Sequence, residues 1–228
     1  MQIQNLTLTT SKLSALRAFY IDTFRLPLLD ESEESFTFQA GITTVTFRAT
    51  EQADSVYHFA FTIPSNKFSL AYAWVKGMTE PLVLDGKDAF PSKSWGSDSV
   101  YFYDPAGNNV EFIAMPSLAN DAPGPFDPAQ DLLSVSEIGV PVRNVASEVG
   151  ILEHDFGQTI FRDSISEKFA AVGDDEGRLI VVEIGRPWFP TTVGVVVAPV
   201  TVRVSGSREA RYSIEGLPFT LEQVASQE

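Results

Sequence analysis

Hydrophobic and polar residues alternate over the first ten positions, with Leu6 and Leu8 on one side and Asn5, Thr7 and Thr9 on the other, the period of a strand with one buried face. The period then changes. Leu13, Leu16, Phe19, Tyr20 and Phe24 recur at three-to-four spacing, which predicts a helix over 13–24, capped by Ser11 and stopped by Pro27. Strands are expected at 28–30, 35–39 and 43–48, the last with Val45 and Phe47 inward and Thr44, Thr46 and Arg48 on the other face. The order is βαβββ.

The same order returns from residue 55. A strand over 56–62 places Tyr57, Phe59 and Phe61 opposite His58, Ala60 and Thr62, a helix covers 65–76, and strands fall at 81–84, 99–103 and 109–114, with a longer insertion over 85–98. Residues 116–131, rich in proline, alanine, glycine and acidic side chains, read as a linker. A third copy starts at 133–142, with a helix over 144–156 and strands at 159–161, 168–172 and 178–183; two β-rich runs, 193–197 and 200–205, begin an incomplete fourth. The expected organisation is an N-terminal pair of units (1–50 and 55–115), the linker (116–131), and a C-terminal unit with a truncated partner (132–228).

The most informative stretch is 97–113, where two alternating runs flank Asp104-Pro105-Ala106-Gly107, a turn sequence. Val100 and Phe102 share a face with Val110 and Phe112, which leaves Tyr101, Tyr103 and Glu111 on the other. Together with the tandem βαβββ pattern, the hairpin Tyr-Phe-Tyr-Asp-Pro-Ala-Gly-Asn-Asn-Val-Glu-Phe resembles the vicinal-oxygen-chelate superfamily of glyoxalase I, bleomycin-resistance proteins and extradiol dioxygenases. The resemblance implies an α+β protein whose curled mixed sheets surround a cleft, with a divalent metal held by the first and last strands of paired units. Aligning the two N-terminal copies sets Asn5 against His58 on first strands and Thr46 against Glu111 on last strands. His58 and Glu111 match the ligand types of the family; Asn5 and Thr46 do not. In the third copy the corresponding positions are Glu137 and Val181, which makes the C-terminal half structural, the alternative being a second cleft served by Glu137.

The implied chemistry is that of a lyase, isomerase or ring-cleaving dioxygenase: His58 and Glu111 on iron, manganese, zinc or nickel, Glu111 also moving a proton, and a small oxygen-rich substrate. Asn5 and Thr46 remain as weak ligands or substrate contacts, Arg48 as a clamp for an anionic group, Tyr101 and Tyr103 as hydroxyl donors, and Trp95 as an aromatic lid. Each has a plainer alternative: a hydrogen-bonded core histidine, a solvated carboxylate, packing at a sheet edge, or the wet face of an antiparallel sheet. The rival function is a binding protein that sequesters a small molecule in the same cleft without metal, as bleomycin-resistance proteins permit. His154, between Glu153 and Asp155, is assigned no function, and Asp174-Asp175-Glu176-Gly177 reads as a turn.

Composition narrows the partners. Thirty acidic against sixteen basic side chains, a net charge of −14, repel a phosphate backbone and argue against nucleic acid. The absence of cysteine removes thiolate nucleophiles and sulfur ligands. No run of about 18 apolar residues suggests a membrane span and the chain opens without a charged-then-apolar leader, so a cytoplasmic monomer or homodimer is expected.

Overall fold

The computed structural model describes residues 1–52 and 55–225. The first unit consists of β1 (Ile3–Thr10), α1 (Leu13–Arg17) continued by a wider π-type turn over Ala18–Thr23, β2 (Leu28–Glu31), β3 (Ser35–Ala40) and β4 (Thr43–Ala49). The second has β5 (His58–Ile63), α2 (Phe68–Met78), β6 (Phe90–Ser92), β7 (Ser97–Tyr103) and β8 (Asn109–Ala114). A short helix, α3 (Pro128–Asp131), precedes the third: β9 (Ser134–Val142), α4 (Val145–Phe156), β10 (Ile160–Ser166), β11 (Phe169–Gly173) and β12 (Arg178–Glu183). The fourth has β13 (Val200–Gly206), β14 (Ala210–Ser213) and β15 (Phe219–Ala225), with no helix among the described residues.

Two expected strands take another form. At 81–84 no strand forms: Leu82 donates to the Tyr101 carbonyl and Leu84 bridges Lys87, while Val83 and Leu84 stay exposed, and the second strand of this unit is β6, from within the insertion. Residues 193–197 make no strand; they fold back so that Gly185 and Trp188 donate to the carbonyls of Val195 and Val193.

The units do not pair first with second and third with fourth. The first shares a seven-stranded sheet with the fourth, in the order β14-β15-β13-β1-β4-β3-β2, while the second and third form an eight-stranded sheet, β10-β11-β12-β9-β5-β8-β7-β6. Each sheet is joined at its middle by an antiparallel pair of first strands, β1 with β13 and β5 with β9. One apolar core joins the inward residues of both sheets, such as Leu8, Phe47, Phe59 and Phe112, to helical residues including Tyr20, Val75 and Leu152. A smaller cluster, with Ala60, Ile113, Ile180 and Trp188, lies on the opposite face of the eight-stranded sheet. Among the described residues, no helix is long and apolar enough to cross a membrane.

Asp104 holds the β7–β8 hairpin. Its buried carboxylate accepts from the backbone of Ala106 (2.9 Å) and Asn108 (3.0 Å), from the Asn108 side chain (2.8 Å) and from the Tyr20 hydroxyl (2.8 Å), tying the turn to the first helix. Asp104→Ala strands these buried donors, and a loss of about 3 kcal/mol in urea unfolding is expected. A change under about 1 kcal/mol would show that the turn stands without it.

Candidate metal centre

A single row of residues crosses five adjacent strands of the larger sheet. Arg178 on β12 pairs in register with Glu137 on β9, Glu137 with Ala60 on β5, Ala60 with Glu111 on β8, and Glu111 with Tyr101 on β7. His58 lies two residues before Ala60 and so shares its face. Small Ala60 leaves room between the two glutamates. A register irregularity next to Ala60, opposite Ser136, lets Val135 and Ile138 both face the core while Glu137 faces the cleft.

Three donor atoms converge there. His58 Nε2 stands 3.7 Å from Glu111 Oε2 and 3.5 Å from Glu137 Oε2, and all three side chains are buried. His58 Nδ1 lies 3.1 Å from the Asn109 carbonyl, which only accepts; Nδ1 therefore carries hydrogen and Nε2 is turned to the carboxylates. The other oxygen of Glu137 accepts from Arg178 Nε (3.0 Å) and Nη2 (2.8 Å). Arg178, fully buried, also donates to the Asp174 carbonyl (3.0 Å) and lies over the Phe161 ring.

The environment drives the two glutamates apart. Burial, then the charge of Glu137, pushes the Glu111 carboxyl up to about 7, against the pull of His58 and the Ser99 and Tyr101 hydroxyls. Burial also acts on Glu137, but Arg178 and His58 outweigh it and hold that carboxyl below its ordinary value. For His58, burial favours the neutral ring; bonding to Glu137 and the two carboxylate charges overcome it, and the net direction is upward. Burial and the same charges keep the Tyr101 phenol protonated far above its usual range.

This donor set fits a divalent ion. The three ligand atoms all lie within 4.8 Å of one another. Atoms that each stand about 2.0–2.2 Å from one ion are separated by at most about 4.4 Å, so only a small contraction is needed. Nitrogen and carboxylate oxygen suit the middle transition metals, and Arg178 anchors one ligand from outside, as metal-binding carboxylates are commonly anchored. The cluster forms the floor of a cavity of about 470 Å³ walled largely by aromatic side chains, among them Phe90, Trp95, Phe169 and Trp188.

No protein-family model and no curated protein matches the chain. Solved structures do. A Bacillus subtilis protein described provisionally as a dioxygenase superposes over 99% of this chain and 85% of its own, with a TM-score of 0.65 at 11% identity. Glyoxalase I from Zea mays superposes over 98% of this chain and 92% of its own, with a TM-score of 0.57 at 14% identity. The chain has the glyoxalase-like fold of these structures.

Within this fold the cluster sits between the second and third units. Of the residues singled out from sequence, His58, Glu111, Tyr101 and Trp95 line the cavity, Trp95 with its indole N–H on Ser164 Oγ at 2.8 Å. Tyr103 is partly exposed and outside it. Asn5, Thr46 and Arg48 belong to the other sheet: Thr46 bonds Thr37 (2.9 Å), Asn5 pairs in register with Thr44 and Arg203, and Arg48 is exposed. The crosswise pairing of units separates them from His58 and Glu111. Glu137, assigned to a separate cleft or to structure, instead faces His58. Val181 points into the main core; Ile180 takes the place that Glu111 has in the second unit, since Ile180 pairs with Gly139 as Glu111 pairs with Ala60. Within 116–131, Phe126, Pro128 and Asp131 are buried, and Lys67 Nζ meets Asp131 at 2.8 Å. Arg178 and Trp188 had no place in the sequence reading. A lone arginine opening an otherwise apolar strand was the available signal for the first. Trp188 rests on Gly139, where a Cβ would collide with its ring.

Proposed function

We propose that the protein is a divalent-metal-dependent enzyme of the glyoxalase and dioxygenase type, acting on a small oxygen-rich substrate in the cleft between the second and third units. One observation carries the reading: the buried convergence of His58, Glu111 and Glu137 at the floor of an aromatic cavity. Burying two carboxylates side by side is costly unless a cation shares the site. Arg178 offsets one of them and leaves the other for an ion. When bound, such an ion supplies Lewis acidity to adjacent substrate oxygens.

The chain's own groups divide the remaining work. Arg178 keeps Glu137 ionised and fixed in direction. Glu111, the carboxylate that Arg178 leaves uncompensated beside the cavity, is the group placed to take up and return a substrate proton. Tyr101, which stays protonated, donates a hydrogen bond to an oxygen that gains charge. The aromatic walls exclude water from these groups.

A second reading, a binding protein without turnover, draws on Ile180, an apolar residue in the position where a fourth ligand would stand. The two readings separate on metal and product. Protein purified without chelator is expected to hold near-stoichiometric iron, manganese, zinc or nickel by plasma mass spectrometry. His58→Ala should weaken binding more than about a hundredfold, beyond the 10–100-fold typical of outer-shell changes. A wild-type protein that takes up none of these ions at micromolar concentration would sink the metal-dependent reading and leave the binding protein.

A further inference from the structure

The mouth of the cavity differs in charge from its floor. Apart from His58, Glu111 and Glu137, the charged side chains that line it are Lys87 and Arg186, both cationic, on a chain whose net charge is −14. Lys87 comes from the loop before β6, at one edge of the sheet; Arg186 comes from the segment after β12, on the other side of the cleft. Neither has an ion-pair partner among the described residues, in contrast to Lys76, Lys168 and Arg162, which are paired with Asp88, Glu183 and Asp175.

Arg186 is the more informative. It is half-buried and its guanidinium lies 5.0 Å over the Phe169 ring, with one side-chain hydrogen bond, to the Pro187 carbonyl at 3.2 Å. Burial lowers its pKa and no nearby carboxylate offsets that, so the cation is held partly dehydrated with all but one of its donor groups free of protein acceptors. A planar guanidinium fixed by an aromatic ring is preorganised for a carboxylate. Between mouth and floor, the walls offer ring faces and edges: Phe90 and Phe189 meet edge to face at 5.0 Å, and Tyr101 and Phe189 at 5.5 Å.

We propose that the cavity takes an amphiphilic anion, with a flat apolar body between the aromatic walls and a carboxylate at the rim bound by Arg186 and assisted by Lys87. The inference rests on reading this cavity as the binding site and specifies the class of its substrate. Long-range charge repels such an anion from most of the surface; the two unpaired cations mark where it enters.

Two probes of equal shape test it: 4-biphenylacetate and the neutral 2-(4-biphenylyl)ethanol, followed by tryptophan fluorescence, since Trp95 and Trp188 line the cavity. In metal-free protein a carboxylate gains nothing from the floor, whose glutamates repel it, so any preference for the acid reports the rim. The acid is expected to bind at least about tenfold more tightly than the alcohol. Arg186→Met should remove most of that difference and leave the affinity for the alcohol unchanged; Lys87→Met should have a smaller effect in the same direction. Equal affinity for the two probes, binding of neither, or a preference that persists in Arg186→Met/Lys87→Met overturns the proposal. Manganese uptake measured in the same samples keeps the readings apart. Uptake without acid preference defeats the rim alone, and acid preference without uptake defeats the metal-dependent enzyme alone.

Discussion

Arg178→Met is expected to destabilise the protein by about 3–5 kcal/mol at neutral pH, the range for removing one member of a buried ion pair. Arg178 is fully buried and Glu137 nearly so, and two of its N–H groups meet Glu137 Oε1 at 3.0 and 2.8 Å. Methionine keeps much of the volume under Phe161 and Trp95 but leaves the carboxylate with only His58 beside it. The sign of the pH dependence follows from Glu137. Its pKa is lowered in the folded protein, so its contribution is present above the ordinary value of 4.5 and is lost as pH falls through the lowered pKa. In the variant Glu137 takes up a proton at higher pH, so the penalty shrinks on going from pH 7 to pH 5. Arg178→Met/Glu137→Gln should recover part of the loss, because an amide is cheaper to bury than a charge. Urea unfolding of the three proteins at both pH values measures this. A single variant within about 1 kcal/mol of wild type would mean that the arginine is not what tolerates Glu137 in the sheet.

Metal affinity should climb steeply with pH. Glu111, at about 7, and His58, raised from 6.5, hold protons that an ion has to displace, so binding is expected to weaken about tenfold for each pH unit below about 7 when one proton is released, and more steeply where both are. Without metal the same shifts act on folding. A Glu111 raised from 4.5 to about 7 contributes stability that is complete below 4.5 and disappears as pH rises through about 7, and His58 acts with the same sign around its own raised pKa. Metal-free protein is therefore expected to melt lower at pH 8 than at pH 6, and saturating manganese should reverse that order. Glu111→Gln removes the Glu111 contribution: it should flatten the metal-free profile and reduce affinity more than a hundredfold, since an amide oxygen is a poorer ligand than a carboxylate. Calorimetric titration across pH 6–8 supplies the slope. A pH-independent affinity, or a Glu111→Gln variant that binds as wild type, would remove Glu111 from the centre.

Period-two alternation is a local property, and wherever one face of a strand is apolar and the other polar the sequence alone shows it. Phe59 and Phe61 against His58, and Val100 and Phe102 against Tyr101, were legible for that reason, as was the inward Glu111 beyond the Asp104 turn. The helical stripe of Leu16, Tyr20 and Phe24 was legible at 3.6-residue spacing, and the βαβββ repeat by its recurrence. Parity fails where every residue is apolar. In β12, Leu-Ile-Val-Val carries no mark of which side faces the cleft, and only the register with β9 decides that Ile180 does and Val181 does not. The irregularity at Ser136 shifts the alternation of β9 by one residue, so the place of Glu137 depends on its pairing with Ala60. Which units share a sheet is a choice among long-range pairings with nearly equal local preferences. The sequence singles out His58 and Glu111; the tertiary structure adds Glu137, because burying the first strands of units two and three against each other brings Glu137 to His58 and leaves Asn5, Thr46 and Arg48 on another sheet.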